Sequence, residues 1–356
     1  MKVLVLGGTG AMGVHLVHLL KEKGHEIIVT SRSAQNSTGN IRFLQGDAKK
    51  IDFLQKVLQQ PFDVIVDFMV YNTQNFKERA ELFLKSTKQY IFLSSARVYA
   101  NEEHPIIESS PRLLEKSEDS LYLATDEYAL SKARQEDILA NSGYNNWTII
   151  RPYITYSENR LQLGVLEKED WLYRALKGRT IFFSEEISKR KTTLTYGLDV
   201  SRAISELAGN YEVLGEIFHI TMNEKESRTW SNIFDIYIEL LKKHLGYTPK
   251  VSSQNLVNFL KLRPEGAKYQ VFYDRMFERN FDNSKIGAFV DIEKFTKPEN
   301  GLKMCLESFL KNPHFSNIDW KIHAKMDKMS NERTSLSEIP GMKQKLKYLL
   351  FRYGKN

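Results

Sequence analysis

The sequence predicts an α/β fold in which helices cover both faces of a doubly wound parallel sheet. Short apolar runs rich in Val and Ile alternate with helical patterns through the first half of the chain, as expected when both faces of a sheet are buried. The first apolar run ends in a glycine-rich turn that leads directly into a helical pattern. After Arg151-Pro152 the alternation stops, which predicts a smaller, mainly helical second domain.

The hydrophobic pattern places each element in turn. Strands are expected at residues 3–6, 26–30, 64–68, 90–94 and 147–151, and later at 180–183 and 217–221. Helices are expected at residues 14–23, 76–85, 127–140, 169–176, 200–208, 230–245 and 302–310. Residues 248–288 carry no pattern that predicts an element.

The composition is that of an ordinary globular protein. The 356 residues are 42% hydrophobic and 27% charged, which suits one large or two coupled domains. No apolar run is long enough for a transmembrane helix, and the short run at the N-terminus indicates a strand rather than a signal peptide. The single cysteine, Cys305, excludes an intramolecular disulfide, so we expect a cytoplasmic protein.

The positive charge is concentrated at the C-terminus. Residues 321–356 hold nine Lys/Arg and three Asp/Glu, and 9 − 3 = +6 of the formal net charge of +7. Apolar residues alternate with these cations, which favours an amphipathic helix that packs on the domain or on a partner. Nucleic-acid binding and contact with a membrane surface are the alternatives.

The turn after the first strand has the spacing of a phosphate-binding loop. Gly7 allows a tight turn, Gly10 allows close approach of a pyrophosphate, and Gly13 lets the helix pack on the strand. Because the three glycines stand between a strand and a helix, a dinucleotide site is favoured over a simple tight turn.

Two further residues indicate the nucleotide. Arg32, after the second strand, stands near Ser31 and Ser33 where an NAD enzyme usually has an acid. A guanidinium with two hydroxyls suits a 2′-phosphate, which favours NADP(H); the alternative is a solvated loop arginine. Asp47 is placed to accept a hydrogen bond from the adenine amino group, or else to cap a helix.

A phenol and an ammonium stand four residues apart at Tyr128 and Lys132, on one helix face. The lysine can stabilise the phenolate, so Tyr128 can move a proton near neutral pH while hydride passes to or from nicotinamide. Ser95 would hold the substrate oxygen by a hydrogen bond. Tyr173 and Lys177 repeat the spacing, but only Tyr128 follows a serine-bearing strand and precedes an Arg-Pro pair.

Together these features resemble the extended short-chain dehydrogenase/reductases, the NAD-dependent epimerase/dehydratase family of nucleotide-sugar enzymes. The matching segments are the glycine trio, Gly46-Asp47, Ser94 to Tyr99, Glu108 before Pro111, Tyr128 with Lys132, Arg151-Pro152 and Gly197 to Val200. The resemblance covers about the first 220 residues. It implies a Rossmann-type cofactor domain, a C-terminal substrate domain and a nucleotide-activated sugar as the substrate, in polysaccharide biosynthesis.

The resemblance also implies domains and site residues. The domains are expected at 1–155 (NAD(P)-binding), 156–320 (substrate-binding, with parts near 192–222 returning to the first domain) and 321–356 (a basic amphipathic tail). The expected catalytic residues are Ser95, Tyr128 and Lys132. The expected substrate contacts are Ser95, Arg97, Tyr99 and Tyr128. The expected cofactor contacts are Gly7, Thr9, Gly10, Ala11, Met12, Gly13, Arg32, Asp47, Ala48, Phe68, Tyr128, Lys132 and Tyr153.

Departures from the family's pattern narrow the activity. The 4,6-dehydratases of the family carry an Asp-Glu pair just after the catalytic hydroxyl residue, and Ala96 and Arg97 stand there, so dehydration is not expected. Ile154 and Thr192 stand where the family often has an Asn and an Arg for the nucleotide diphosphate. We therefore predict a keto-sugar reductase or epimerase that uses NADP(H) in preference to NAD(H).

Two other hypotheses stay open. Residues 62–67 with Arg32 resemble a divergent branch of the family that includes chloroplast RNA-binding relatives, so the chain could bind nucleic acid. A cofactor-sensing regulator without turnover would need no Ser/Tyr/Lys set. We expect no metal, because the eight histidines lack ligand spacing, and we expect His219 to pack in a strand. A homodimer and a weak membrane-surface contact through the tail are left open.

Overall fold

The computed structural model describes residues 1–101 and 105–354. The strands are β1 (Lys2–Leu6), β2 (Glu26–Ser31), β3 (Ile41–Gln45), β4 (Phe62–Asp67), β5 (Thr87–Leu93), β6 (Trp147–Pro152), β7 (Thr155–Tyr156), β8 (Ile181–Ser184), β9 (Lys191–Thr192), β10 (Thr195–Tyr196), β11 (Glu216–Ile220), β12 (Arg228–Thr229) and β13 (Val251–Gln254). The helices are α1 (Gly13–Glu22), α2 (Ile51–Val57), α3 (Thr73–Lys85), α4 (Leu113–Lys116), α5 (Ser120–Leu123), α6 (Tyr128–Ala140), α7 (Leu172–Leu176), α8 (Glu185–Ser188), α9 (Gly197–Leu207), α10 (Trp230–Leu245), α11 (Leu256–Lys261), α12 (Ala267–Gln270), α13 (Ser284–Gly287), α14 (Pro298–Lys311), α15 (Trp320–Met329) and α16 (Gly341–Tyr353).

Seven strands form one parallel sheet in the order β11-β6-β5-β4-β1-β2-β3. Successive residues of a strand point to opposite faces. In β1, Val3 and Val5 pack with α1 and α9, whereas Leu4 and Leu6 pack with α2 and α3. The sheet thus carries buried apolar side chains on both faces, and the predicted doubly wound α/β fold is confirmed.

The described chain forms two compact units. The first unit comprises Met1–Ser157, Thr193–Ser227 and Arg279–Pro298, and it contains the seven-stranded sheet. The second unit comprises Glu158–Thr192, Arg228–Glu278 and Glu299–Asn356, and it is mainly helical. Among the helices of the described residues, none is long and apolar enough to cross a lipid bilayer.

The first unit takes in a late segment that we expected in the second domain. Residues 279–298 belong to the first unit because hydrogen bonds fasten them to β11 and α9. A ring nitrogen of His219 lies 2.6 Å from the carbonyl oxygen of Asp282, and the amide of Thr296 donates to Asp199 at 2.7 Å. The sequence pattern could not predict that this segment joins the first unit, because about sixty residues or more separate the hydrogen-bonded partners.

The C-terminal residues are part of the second unit rather than a separate tail. Arg174 of α7 donates to Asp327 of α15 at 2.7 Å, and both side chains are fully buried. The Tyr348 hydroxyl of α16 donates to the same carboxylate at 2.7 Å. Trp320 and Tyr173 pack with Tyr348 in one apolar cluster. One face of α16 therefore packs on the second unit, as the favoured interpretation of this segment predicts.

Candidate active site

The turn between β1 and α1 depends on its glycines. Gly7 has a φ of +73°, a left-handed conformation that side chains disfavour, and its carbonyl accepts a hydrogen bond from the Gly10 amide at 3.0 Å. A Cβ on Gly13 would lie 2.6 Å from the Cα of Gly8. Met12, at the N-cap of α1, makes no side-chain cap hydrogen bond. The helix start therefore suits an anion, and the turn fits a pyrophosphate. The other expected contacts of this turn are Thr9, Ala11 and Met12.

Arg32 lies at the end of β2, where the second strand leaves the sheet. Its side chain is exposed and makes no hydrogen bond or ion pair with residues 1–101 or 105–354. The Ser31 hydroxyl donates to the carbonyl of Ser33 at 2.8 Å. The loop thus presents a guanidinium at the strand end, while one of the two expected hydroxyls is engaged within the loop.

Asp47 shapes the turn that follows β3. Its carboxylate accepts a hydrogen bond from the Lys49 amide at 3.0 Å. Because α2 begins at Ile51 with Lys50 at its N-cap, the alternative that Asp47 caps this helix is wrong. Ala48 is buried, and contact of Asp47 with adenine stays a prediction.

A buried carboxylate ends β4, and sequence reasoning did not single it out. Asp67 is fully buried and accepts hydrogen bonds from the Tyr90 hydroxyl and the Met69 amide, both at 2.8 Å. Burial raises the pKa of Asp67 to about 6, although these donors and the charge of Lys132 lower it. Phe68, an expected cofactor contact, is partly buried against the core.

The loop after β5 joins Ser95 to the start of α6. Ser95 is buried, and its hydroxyl oxygen accepts a hydrogen bond from the Arg97 amide at 3.2 Å. The Arg97 guanidinium donates to Glu127 at 2.7 Å and lies 5.1 Å from the centre of the Tyr128 ring. The structure therefore brings Arg97 and Tyr128 together, with Glu127 as the anchor of the arginine.

Tyr128 and Lys132 occupy the first two turns of α6 but are not bonded to each other. The Tyr128 hydroxyl makes no hydrogen bond within the described part of the chain. Lys132 is buried, and its Nζ donates to the Leu93 carbonyl at 2.6 Å and lies 4.4 Å from the centre of the Phe92 ring. Burial lowers the pKa of Lys132 to about 8, although the carboxylates of Asp67 and Glu136 raise it.

In the second Tyr-x-x-x-Lys pair, which lies in the second unit, both side chains contact one carboxylate. The Tyr173 hydroxyl donates to Glu338 at 2.7 Å, and Lys177 lies 3.8 Å from the same carboxylate. Burial, helped by Glu338, raises the pKa of Tyr173 to about 12. A phenol that is harder to ionise and already bonded is a poor proton carrier.

Glu136 anchors the site from one turn beyond Lys132. It is buried and accepts two hydrogen bonds from Arg151, at 2.9 and 2.7 Å, and one from Arg112 at 3.1 Å. Although burial opposes it, the Arg151 guanidinium holds the pKa of Glu136 below its usual value. These side chains line a cavity of about 420 Å³. Glu136 could have been found from its i+4 spacing to Lys132, which places it on the same helix face.

Tyr99, an expected substrate contact, lies in a buried polar network. Its hydroxyl is 3.2 Å from Nδ1 of His219, which itself lies 3.8 Å from Glu108. Burial raises the pKa of Tyr99 to about 12 and lowers the pKa of His219. His219 therefore packs in β11 as expected.

In the described residues, no group of three or more His, Cys, Asp or Glu side chains could hold a metal ion.

Tyr153, an expected cofactor contact, is buried beside the chain that returns from residue 279. Its ring centre lies 5.2 Å from that of Phe281 and 5.8 Å from the Arg279 guanidinium. Arg279 is buried and donates to the Tyr99 carbonyl at 2.7 Å. The next residue, Ile154, has a φ of +35°, which is a strained conformation for a β-branched side chain. Ile154, which stands where the family often has an Asn, thus also has an unusual backbone conformation.

A parallel doubly wound sheet, a glycine turn at its first crossover and a Tyr/Lys helix are the features of a Rossmann-type α/β fold. Residues 3–220 match the family described as NAD dependent epimerase/dehydratase family. The chain belongs to this family, which confirms the resemblance.

Curated relatives match parts of the chain. The Arabidopsis thaliana "Chloroplast stem-loop binding protein of 41 kDa b, chloroplastic" is 26% identical over 238 residues, 62% of this chain and 58% of the relative. A Lactobacillus helveticus "UDP-glucose 4-epimerase" is 27% identical over 155 residues, 39% of this chain and 46% of the relative. The chain thus spans about half the length of these relatives.

Solved structures share the fold. The Bordetella bronchiseptica enzyme WbmH in complex with NAD+ superposes with a TM-score of 0.68 and 16% identity, over 88% of this chain and 99% of the other. At this identity the likeness bears on the fold alone.

Proposed function

We propose that this chain is an NAD(P)-dependent keto-sugar reductase or epimerase that acts on a nucleotide-activated sugar, with Tyr128 as its acid/base. The observation that supports this most directly is the Tyr128 phenol, which has no hydrogen-bond partner among the described residues. A buried lysine, Lys132, lies one turn further along α6. A proton carrier needs both a hydroxyl that is free to meet its substrate and a cation that stabilises the phenolate.

Each of the three catalytic candidates has its own role in this proposal. The Tyr128 hydroxyl gives a proton to the sugar oxygen or takes one from it. Lys132 stabilises the phenolate by its positive charge. With a pKa of about 8, the Lys132 ammonium is protonated at neutral pH and loses its proton at a pH only slightly higher. Ser95 holds the sugar oxygen by a hydrogen bond. A nicotinamide dinucleotide, when bound at the glycine turn, supplies the hydride chemistry.

The substrate class is supported by the match to a UDP-glucose 4-epimerase and by the residues at the dehydratase positions. Ala96 is apolar and Arg97 is paired with Glu127, so neither can act as the acid or base that eliminates water. The same proposal assigns the part of residues 156–320 outside the first unit to substrate binding. A cytoplasmic location is part of it too, because the chain has one cysteine, Cys305, and so cannot form an intramolecular disulfide.

NADP(H) is our proposed preference, and it depends on Arg32 and on the lack of an acid at the end of the second strand. The exposed guanidinium at the end of β2 suits a 2′-phosphate. The solved relative that holds NAD+ gives no support for this preference over NAD(H).

The deciding experiment follows the fate of the cofactor and of the sugar together. The purified chain is incubated with UDP-glucose and either dinucleotide, and separately with a UDP-4-keto sugar and NADPH. An epimerase yields a new UDP-hexose, detected by NMR, with no net change in cofactor absorbance. A reductase consumes NADPH in proportion to the keto sugar. A chain that retains no dinucleotide and converts none of a panel of nucleoside-diphosphate sugars would contradict the proposal.

RNA binding is the second candidate, and the match to the Arabidopsis stem-loop binding protein is the observation that favours it. It predicts binding of a stem-loop RNA that persists at physiological salt. We place it second because it gives no role to Ser95, Tyr128 and Lys132. Binding to RNA that falls steeply with salt and shows no structure preference would be nonspecific attraction to the basic C-terminus.

A further inference from the structure

One face of α16 exposes a stripe of large apolar side chains. Met342, Leu346, Leu350 and Tyr353 are 70%, 60%, 65% and 59% exposed. Their spacing of four, four and three residues places them on one side of the helix. Exposed apolar residues usually occur singly, so a continuous stripe of four needs an explanation.

The stripe faces solvent because the opposite face of α16 is fastened to the second unit. The Tyr348 hydroxyl donates to Asp327 and accepts a hydrogen bond from the Thr334 amide, each at 2.7 Å. Phe351, on the same side of the helix as Tyr348, packs against the cluster that holds Trp320. The helix therefore cannot turn its apolar stripe inward without breaking buried contacts.

Cations border the stripe on both sides. At about 100° per residue, Lys343 lies on one flank, and Lys345 and Arg352 lie on the other. Lys343 and Lys345 make no ion pair with the described residues. Lys347, further round the helix, has a loose contact of 3.5 Å with Asp319. No acidic residue occurs in α16, so the charged side chains of this helix are all positive.

We propose that this face of α16 docks on an anionic lipid surface, with the apolar stripe in the acyl boundary and the flanking cations at the headgroups. An apolar face bordered by lysines and arginines is the pattern of helices that lie in a membrane interface. Long basic side chains can keep their charge at the headgroups while their stems cover apolar surface.

Other occupants fit the same face less well. A second copy that met α16 across a twofold axis would bring like charges, including Lys343 and Lys345, towards their own equivalents. A nucleic acid would pair with the cations but leave Leu346 and Leu350 in water, and the stripe offers a single aromatic ring for base stacking.

The test is flotation of the full-length chain with phosphatidylcholine vesicles, with and without phosphatidylglycerol. We expect binding to the mixed vesicles that weakens with salt, and little binding to phosphatidylcholine alone. The double variant Leu346→Glu/Leu350→Glu should bind at least roughly tenfold more weakly. Lys343→Gln/Lys345→Gln should lose roughly fivefold per cation. Leu121→Glu is the matched control, because Leu121 is exposed but lies in the first unit, and it should bind as the unmodified chain does.

Three results would overturn the proposal. They are absence of binding to the mixed vesicles, binding that the Leu346/Leu350 pair of substitutions leaves unchanged, and a concentration-dependent dimer abolished by that pair. RNA binding that depends on Lys343 and Lys345 but not on the leucines, without vesicle binding, would assign the face to nucleic acid. Tyr128→Phe should bind vesicles normally, so the result is independent of the proposed enzymatic function.

Discussion

Arg151 of β6 and Glu136 of α6 form a buried ion pair in which two nitrogens of the guanidinium contact the two carboxylate oxygens, at 2.9 and 2.7 Å. Each side chain is 2% exposed. Glu136 lies one turn after Lys132, so the pair fixes the helix that carries the candidate catalytic residues to the strand behind it.

Glu136→Gln should therefore lower the free energy of unfolding by about 3–5 kcal/mol, because it leaves Arg151 buried without its counter-charge. Asp137→Asn is the matched control. Asp137 contacts Arg112 at 2.7 Å but is 42% exposed, so its loss should cost under about 1 kcal/mol. Urea unfolding of both variants measures the difference. Equal losses of unfolding free energy in the two variants would show that the burial of Glu136 does not determine how much the Arg151–Glu136 ion pair stabilises the fold.

The α/β fold class and the glycine turn could be predicted because their determinants are local. Apolar runs, a Gly-x-x-Gly-x-x-Gly turn and the spacing of Tyr128 and Lys132 each lie within one short segment. Pairing across the chain could not be predicted in the same way. Arg279 and Tyr99 are 180 residues apart, yet Arg279 donates to the Tyr99 carbonyl.

The choice between the two Tyr-x-x-x-Lys pairs shows what pattern alone can and cannot supply. Sequence context favoured Tyr128, but the spacing gave no sign that Tyr173 bonds to Glu338. The same spacing suggested that Lys132 meets Tyr128, whereas its nitrogen contacts the Leu93 carbonyl. Asp67 could not be recognised as buried with a raised pKa, since in the sequence it is one acid at the end of an apolar run.

Tyr128→Phe should reduce turnover by roughly 100- to 10,000-fold, because it removes the proposed proton carrier. The affinity for the dinucleotide should change little, since the glycine turn is untouched. Tyr173→Phe should keep its turnover and lose about 1 kcal/mol of stability with its hydrogen bond to Glu338. Steady-state kinetics and cofactor titration by fluorescence separate the two effects. Similar losses of turnover in both variants would contradict the choice of Tyr128.

Arg32→Ala should weaken NADPH binding by roughly tenfold or more and leave NADH binding nearly unchanged, because one charge-assisted phosphate contact is lost. Arg42→Ala is the control, since Arg42 is also exposed and lies on the neighbouring strand β3. Fluorescence titration with both dinucleotides measures the ratio. Tighter binding of NADH than of NADPH to the unmodified chain would refute the proposed preference.

The Asp67 carboxylate should raise the pKa of the Lys132 ammonium and so extend the pH range in which Lys132 is charged. Burial lowers the pKa of Lys132 to about 8, and the Asp67 carboxylate partly offsets this. We therefore expect kcat/KM to fall as the pH rises through about 8, when the ammonium that stabilises the Tyr128 phenolate is lost. Asp67→Asn removes the offsetting charge, so the fall should move to lower pH.

The free energy of unfolding should also depend on the protonation of Lys132, and it should increase as the pH rises. Because folding lowers the pKa of Lys132 from its ordinary value of 10.5, the unfolded chain binds more protons between about pH 8 and 10.5. Burial of the charged lysine thus costs stability below pH 8, and that cost is relieved as the pH rises through this range. Lys132→Met should remove this contribution, and urea unfolding as a function of pH measures it.

Asp63→Asn is the matched control for Asp67, because Asp63 lies on the same strand but pairs with the exposed Lys88 at 2.8 Å. It should leave the pH profile where it is. NMR titration of isotope-labelled lysine follows the Lys132 ammonium directly and needs no substrate. If the pKa of Lys132 in Asp67→Asn stays the same or rises, the carboxylate at the end of β4 does not sustain the lysine charge. The upper limb of the activity profile would then have to come from another group.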